Sequence, residues 1–179
     1  PVLTGDTAFG PGTTDVSFGG AVYASVAIDA RGLAATADRV DDLVTLGREV
    51  KAEVCDHPSS LHATDDRLSG LYGTTIHETP GADPLHQRNV TIFADGQVDR
   101  SPCGSGTSAR LALLHHHGVI GVDDAFHNEG IAGGLFVGRI ESVTDDGVVT
   151  TVEGSAHRHA TSAFTLDPAD PLGLGFQLR

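Results

Sequence analysis

Four consecutive apolar residues, Leu111-Ala112-Leu113-Leu114, sit between a glycine-rich stretch and His115-His116-His117. A helix that is apolar on every side has no face to give to water, so this one is buried on most sides. Its end is marked by Gly118, a good residue for the left-handed position just past a helix. The three histidines crowd its last turn. Metal ligands must converge on one point, whereas neighbours on a helix point apart. Imidazoles that complement the negative helix end are the simpler reading, and no metal site is expected.

The residues leading into this helix are Val98-Asp99-Arg100-Ser101-Pro102-Cys103-Gly104-Ser105-Gly106-Thr107-Ser108-Ala109-Arg110. They follow a strand-like run, Asn89 to Ala94, so a cysteine and two glycines fall where a strand gives way to a helix start. The first N–H groups of a helix have no partner within it, and the macrodipole makes that end positive. Glycines at 104 and 106 remove side chains that would keep a ligand away. The stretch therefore predicts an anion site with a thiol at its rim and a carboxylate, Asp99, just upstream.

The rest of the chain reads as one domain of strands with a second helix. Pro1 to Thr14 is rich in Gly, Pro and Thr and predicts strand ends and turns. Val16 to Asp29 predicts a strand with Gly19-Gly20 near its start, either a sheet bend or a pocket wall. Thr36 or Asp38 can cap a helix running to about Cys55, with Val40, Leu43, Val44, Gly47, Val50 and Val54 at helical spacing. Cys55 at its end reads as a semi-buried structural cysteine rather than a partner of His57. Pro58 to Ser69 is a polar loop. Gly70 to Glu78 and Arg88 to Asp95 are strands, hairpin-paired, with a turn over Thr79 to Gln87 and another at Asp95-Gly96. After the buried helix, strands are expected at 125–131, 134–143, 147–153 and 155–166, then a turn and a closing strand to Phe176. His157 and His159 share a strand face by period two, with no third ligand at a convincing spacing.

Charge and cysteine usage narrow the function. Eleven basic residues stand against twenty-four acidic ones, a net charge of −13, and Lys51 is the only lysine. An acidic surface this poor in lysine fits a protein kept soluble in high salt, where self-repulsion is screened. Nucleic-acid binding needs a basic footprint and is not expected. Pyridoxal chemistry needs a lysine, and Lys51 lies among Arg48, Glu49 and Glu53 on a solvated helix face. Two cysteines make no disulfide framework, and no apolar run spans a membrane, so a cytoplasmic location is expected. A start at Pro1 without methionine is expected of a processed or excised piece.

The central stretch has three chemical readings. A thiol ionises near about 8.5 in free solution, and a helix N-terminus lowers that value, so both forms are accessible near neutrality. Cys103 then acts as a general acid and base. The N–H groups of Gly104, Ser105, Gly106 and Thr107 would hold a carboxylate and stabilise charge arriving on it when the adjacent α-proton leaves. Asp99 would pair with an amine on the same carbon. In a second reading Cys103 is an acyl-transfer nucleophile, which needs a neighbouring base that the nearby sequence lacks. In a third the Gly-Ser-Gly turn cradles phosphate, but the lysine of such loops is missing.

At these residues the chain resembles the proline racemase superfamily, which includes proline racemases, hydroxyproline 2-epimerases and trans-3-hydroxyproline dehydratases. Asp99-Arg100-Ser101-Pro102-Cys103-Gly104-Ser105-Gly106-Thr107 matches the family's second catalytic motif nearly letter for letter. Phe18-Gly19-Gly20 with Tyr23-Ala24, Asn89 to Ala94, and Asp167-Pro168 through Gly175-Phe176 agree as well. The resemblance implies an α+β fold, a diaminopimelate-epimerase-like half in which a barrel-like, mostly antiparallel sheet surrounds a central helix. It implies that residues 1–179 are the C-terminal half of a two-half enzyme.

It also implies a two-base mechanism without cofactor at the α-carbon of proline or hydroxyproline. Cys103 is the second-half base, Asp99 binds the substrate nitrogen, Gly104 and Ser105 bind the carboxylate, and Phe93 and Tyr72 line the pocket. The first-half motif is absent, and Cys55 does not stand in for it. The expected partner is therefore the missing N-terminal half or a second copy of the chain, and the chain alone is expected to be inactive. Leu71-Tyr72-Gly73-Thr74 and Phe93 to Asp99 look more like the dehydratase branch. That branch carries threonine where this chain has Cys103, which favours racemisation or epimerisation over dehydration.

Overall fold

The computed structural model describes residues 2–175. Nine strands form one sheet: β1 (Val2–Thr7), β2 (Gly10–Phe18), β3 (Val22–Ala27), β4 (Leu71–Glu78), β5 (His86–Phe93), β6 (Gln97–Val98), β7 (Phe126–Gly130), β8 (Leu135–Thr144) and β9 (Gly147–Glu153). The order across the sheet is β1-β2-β3-β4-β5-β7-β8-β9, and β6 pairs with β5. Neighbours are antiparallel except β3–β4 and β5–β7. Two helices pack on opposite faces, α1 (Val40–Val54) and α2 (Gly104–His116).

Strand alternation divides the two faces. Val22, Ala24, Val26, Ile76, Val90 and Ile92 join Leu43, Leu46, Val50 and Val54 of α1 in the main apolar core. A Cβ on Gly47 would lie 2.6 Å from Ile92 Cβ, so glycine lets this helix sit close on the sheet. The other face carries Tyr23, Ser25, Thr75, His77, Thr91, Asn89 and Gln87, all buried and all polar-tipped. It lies under α2, whose own apolar side packs Leu111 and Leu114 with Ile120, Phe126 and Ile140.

α2 is thus cradled by the sheet, with buried Leu111, Leu113 and Leu114, as four consecutive apolar residues require. The barrel does not close: β1 and β9 end the strand order without pairing. The expected strand over 155–166 is also missing. Residues 154–175 are exposed and carry no strand, and Phe164 is 95% exposed. The sheet's open edges at β1 and β9 do not pair with this segment, whose residues stay exposed. The closing position Phe176 lies outside the described residues.

The hairpin β4–β5 forms as the pattern predicts, with Gly73 opposite Phe93 and His77 opposite Asn89. The opening segment is more regular than its composition suggests. β1 and β2 form a long antiparallel hairpin closed at Thr7 and Gly10. The glycine pair does not begin a strand but turns the chain between β2 and β3, and a Cβ on Gly19 would sit 2.4 Å from backbone atoms of Ser105 and Ala109. α1 starts at Val40, after a 3-10 turn over Ala37–Arg39 that follows Thr36. Cys55 beyond its end is exposed, not semi-buried.

Candidate active site

One edge of β5 is shared by two partners. β7 pairs with His86 to Asn89, and β6 pairs with Ile92 and Phe93. The chain leaves β6, gives the Asp99 N–H to the Thr91 carbonyl at 2.9 Å, and turns over the sheet into α2. Cys103 occupies the residue before the helix, with φ 64° and ψ 108°. A side chain at positive φ is strained and persists only where its surroundings over-determine it.

Those surroundings are a buried amide–hydroxyl network. Asn89 Nδ2 donates to the Pro102 carbonyl at 3.3 Å and to Asn128 Oδ1. Asn128 Nδ2 donates to Thr107 Oγ1 at 2.9 Å. Thr107 Oγ1 donates to the Cys103 carbonyl at 2.7 Å, and the Thr107 N–H reaches the same oxygen at 2.8 Å. A Cβ on Gly130 would come within 3.0 Å of Pro102 N, so the end of β7 presses on the turn from below. From the upstream side, Asp99 Oδ1 accepts the Ser101 N–H at 2.9 Å and the Ser101 hydroxyl at 3.0 Å, and Ser101 Oγ accepts the Cys103 N–H at 3.1 Å.

The thiol is buried, 6% exposed, against Tyr23 from β3. The Tyr23 hydroxyl lies 3.5 Å from Cys103 Sγ and 2.7 Å from Ser105 Oγ. Burial is the largest influence on this phenol and holds its pKa well above the ordinary value, with the neighbouring thiol adding to the rise. A Cβ on Gly106 would lie 3.0 Å from Sγ and 3.4 Å from Thr75 Oγ1, so that glycine clears the space for the sulfur. The amides of Gly104, Ser105 and Gly106 precede the Thr107 bond and are the free donors that a helix start presents.

Aromatic rings extend the site from the thiol. Tyr23 meets Tyr72 edge-on at 5.5 Å, and Tyr72 stacks on Phe93 at 6.0 Å with planes 3° apart. Tyr72 is 51% exposed, which makes this a shallow, half-open wall. A separate groove along α2, lined by Phe18, Ser108, Ala112 and Val148, does not include Cys103.

Cys103, Gly104, Ser105 and Gly106 therefore lie together at the start of α2, and Tyr72 and Phe93 reach them through the ring of Tyr23. Two residues behave otherwise. Thr107 is wholly buried and its amide and hydroxyl are both committed to the Cys103 carbonyl, so it fixes the turn and presents nothing to a ligand. Asp99 spends Oδ1 on Ser101. Tyr23 is the residue that sequence reasoning passed over. Its signal was alternation: in Val22-Tyr23-Ala24-Ser25-Val26, the tyrosine faces away from the apolar core.

The profile of the family described as proline racemase matches residues 6–177. The chain belongs to the proline racemase family. A trans-3-hydroxy-L-proline dehydratase of Bacillus thuringiensis subsp. konkukian (strain 97-27) is 37% identical over 182 residues, covering 99% of this chain and 54% of the relative. A proline racemase of Acetoanaerobium sticklandii is 34% identical over 168 residues, 92% of this chain and 50% of that one. The crystal structure of a hydroxyproline epimerase from Agrobacterium vitis, with bound trans-4-hydroxy-L-proline, superposes with TM-score 0.82 at 30% identity. It covers 99% of this chain and 52% of that one. This proline racemase family chain thus spans about half the length of the curated relatives it matches. No helix among the described residues is long and apolar enough to cross a membrane.

Proposed function

We propose that this chain supplies one side of an amino-acid racemase or epimerase site acting on proline or hydroxyproline. The observation that carries the reading is Cys103 held at the start of α2, between the free amides of Gly104 and Ser105 and the phenol of Tyr23. As thiolate, Cys103 takes the α-proton and becomes a thiol. The electron pair left on the α-carbon spreads onto the substrate carboxylate, where the helix amides meet it. A base on the opposite face returns a proton and inverts the centre, and in the reverse direction Cys103 returns it. Only a proton moves, and the carboxylate itself accepts the charge. Asp99 keeps Oδ2 for the substrate nitrogen, and Tyr72 and Phe93 give the ring an apolar wall.

The opposite base is not supplied by Cys55, which is exposed beyond the end of α1. It comes from a complementary half of the length that the relatives possess. In D2O, the chain completed by such a half exchanges the α-hydrogen of L-proline or trans-4-hydroxy-L-proline, read by NMR. Cys103→Ser reduces this exchange strongly. Unchanged exchange in that variant overturns the reading. The chain alone gives weak binding of proline analogues by calorimetry and no exchange.

A second reading is favoured by the dehydratase names among the relatives: α-proton removal followed by loss of a 3-hydroxyl. With trans-3-hydroxy-L-proline it predicts a dehydrated product in place of an epimer.

A further inference from the structure

The phenol of Tyr23 has one proton and two acceptors within reach, Ser105 Oγ at 2.7 Å and Cys103 Sγ at 3.5 Å. It can serve only one of them at a time. A neutral thiol is a weak acceptor, so beside S–H the phenol proton goes to Ser105. A thiolate is a charged acceptor and binds a donor roughly twice as strongly as a neutral one. Beside S⁻ the phenol turns to the sulfur, and the Ser105 hydroxyl turns to donate to the phenol oxygen.

We propose that Tyr23 and Ser105 form a two-position hydrogen-bond switch that follows the protonation state of Cys103 and favours its thiolate. No covalent bond breaks in the switch; two hydroxyl hydrogens rotate. Two features keep the partners in register. Gly106 leaves the sulfur a fixed seat, and the network through Thr107 and Asn128 fixes the Cys103 backbone. The groups facing the thiol are Tyr23 from β3, with Tyr72 from β4 against it. From the upstream turn Asp99 acts only through Ser101, and from α2 come the backbone amides.

The switch has a consequence at the ligand side of Ser105. With Cys103 as thiol, Ser105 accepts from Tyr23 and its own proton points outward. With Cys103 as thiolate, that proton is turned inward. The site therefore gains one donor for a carboxylate in the state in which Cys103 is ready to give a proton back. In the reaction proposed above, that is the state in which the carboxylate carries the most negative charge. Tyr23 is a positioning residue in this scheme, acting through Cys103.

The inference rests on Cys103 as the proton-transfer group, but its test needs no turnover. In a Cys55→Ser background only Cys103 reacts with iodoacetamide, and the pH–rate profile reports its thiolate. Tyr23→Phe moves the midpoint up by about one pH unit, a tenfold loss of thiolate at fixed pH below it. Ser105→Ala removes the competing acceptor but keeps the phenol proton, and does not move the midpoint up. An unmoved or lowered midpoint in Tyr23→Phe overturns the proposal, as does an equal rise in Ser105→Ala. A second measurement keeps the phenol. The chain has two tyrosines, so Tyr72→Phe leaves Tyr23 as the only one. Its ultraviolet difference spectrum then changes with the same midpoint as alkylation, and a spectrum blind to that midpoint also overturns the switch. Retained α-hydrogen exchange in Cys103→Ser would sink the racemase reading while leaving this titration untouched.

Discussion

Replacing Thr107 by valine isolates the network that holds the strained Cys103. Both side chains branch at Cβ, so the helix keeps its shape and nearly its volume, and the loss is confined to one hydroxyl. That hydroxyl donates to the Cys103 carbonyl at 2.7 Å and accepts from Asn128 Nδ2 at 2.9 Å, wholly out of water. The carbonyl keeps the Thr107 amide at 2.8 Å. Asn128 Nδ2 is left with the Pro102 carbonyl at 3.4 Å, a long contact. Two buried hydrogen bonds at about 1 kcal/mol each, plus a donor left nearly unsatisfied, give a destabilisation of about 2–4 kcal/mol. For a chain of this size that is a drop of roughly 5–15 °C in melting temperature. Urea unfolding with an unchanged m-value measures it. Asn128→Ala removes the same pair from the other side, so the double variant costs less than the sum of the two. A loss under about 0.5 kcal/mol in Thr107→Val, or strict additivity with Asn128→Ala, refutes the idea that this network fixes the turn.

Other outcomes follow from single features. His77 is almost wholly buried, and burial, reinforced by Arg110, holds its pKa well below the free value of 6.5. Below about pH 6.5 the unfolded chain binds a proton that the folded chain refuses. Stability is therefore full above that pH and falls as pH drops toward the folded-state value, by up to about 1.4 kcal/mol per pH unit. His77→Gln flattens that slope in urea titrations, and equal slopes in both proteins contradict it. In Gly19→Ala the new methyl meets Ala109 N and Ser105 O at 2.4 Å, both backbone atoms that cannot rotate away. It costs about 1–3 kcal/mol by thermal melting, and an unchanged melt contradicts the close packing of the β2–β3 turn on α2.

The parts of the fold that sequence alone revealed are those where local pattern and tertiary demand agree. The hairpin β4–β5 alternates strongly, and α2 needs burial on every side. The opening hairpin was hidden because β1 and β2 are half-exposed and glycine-rich, so pairing rather than side-chain burial carries them. The segment 155–166 shows the opposite error: strand-like residues that pair with neither open edge of the sheet. At the site, Cys103 and the helix start were legible because they lie within a few residues of each other. Tyr23 was not, because eighty residues separate it from Cys103 and only the sheet brings them together. Thr107 was misread because a helix-start amide looks free in sequence, whereas a buried hydroxyl with two partners is visible only in space.

The two faces of the sheet differ in what they tolerate. The α1 face is held by contacts that have no direction, so aliphatic residues of similar volume can be exchanged there at small cost. Around the Cys103 turn the α2 face is held by amides and hydroxyls as well as by its apolar cluster, and each of those polar groups needs a partner at a set distance and angle. Sequence drift can run through Val26, Ile76 and Val90 while the thiol stays where it is. One altered amide at Asn89 or Asn128 shifts the turn that carries it. The α1 face thus admits exchanges that the α2 face, which carries Cys103 and its hydrogen-bonded turn, does not.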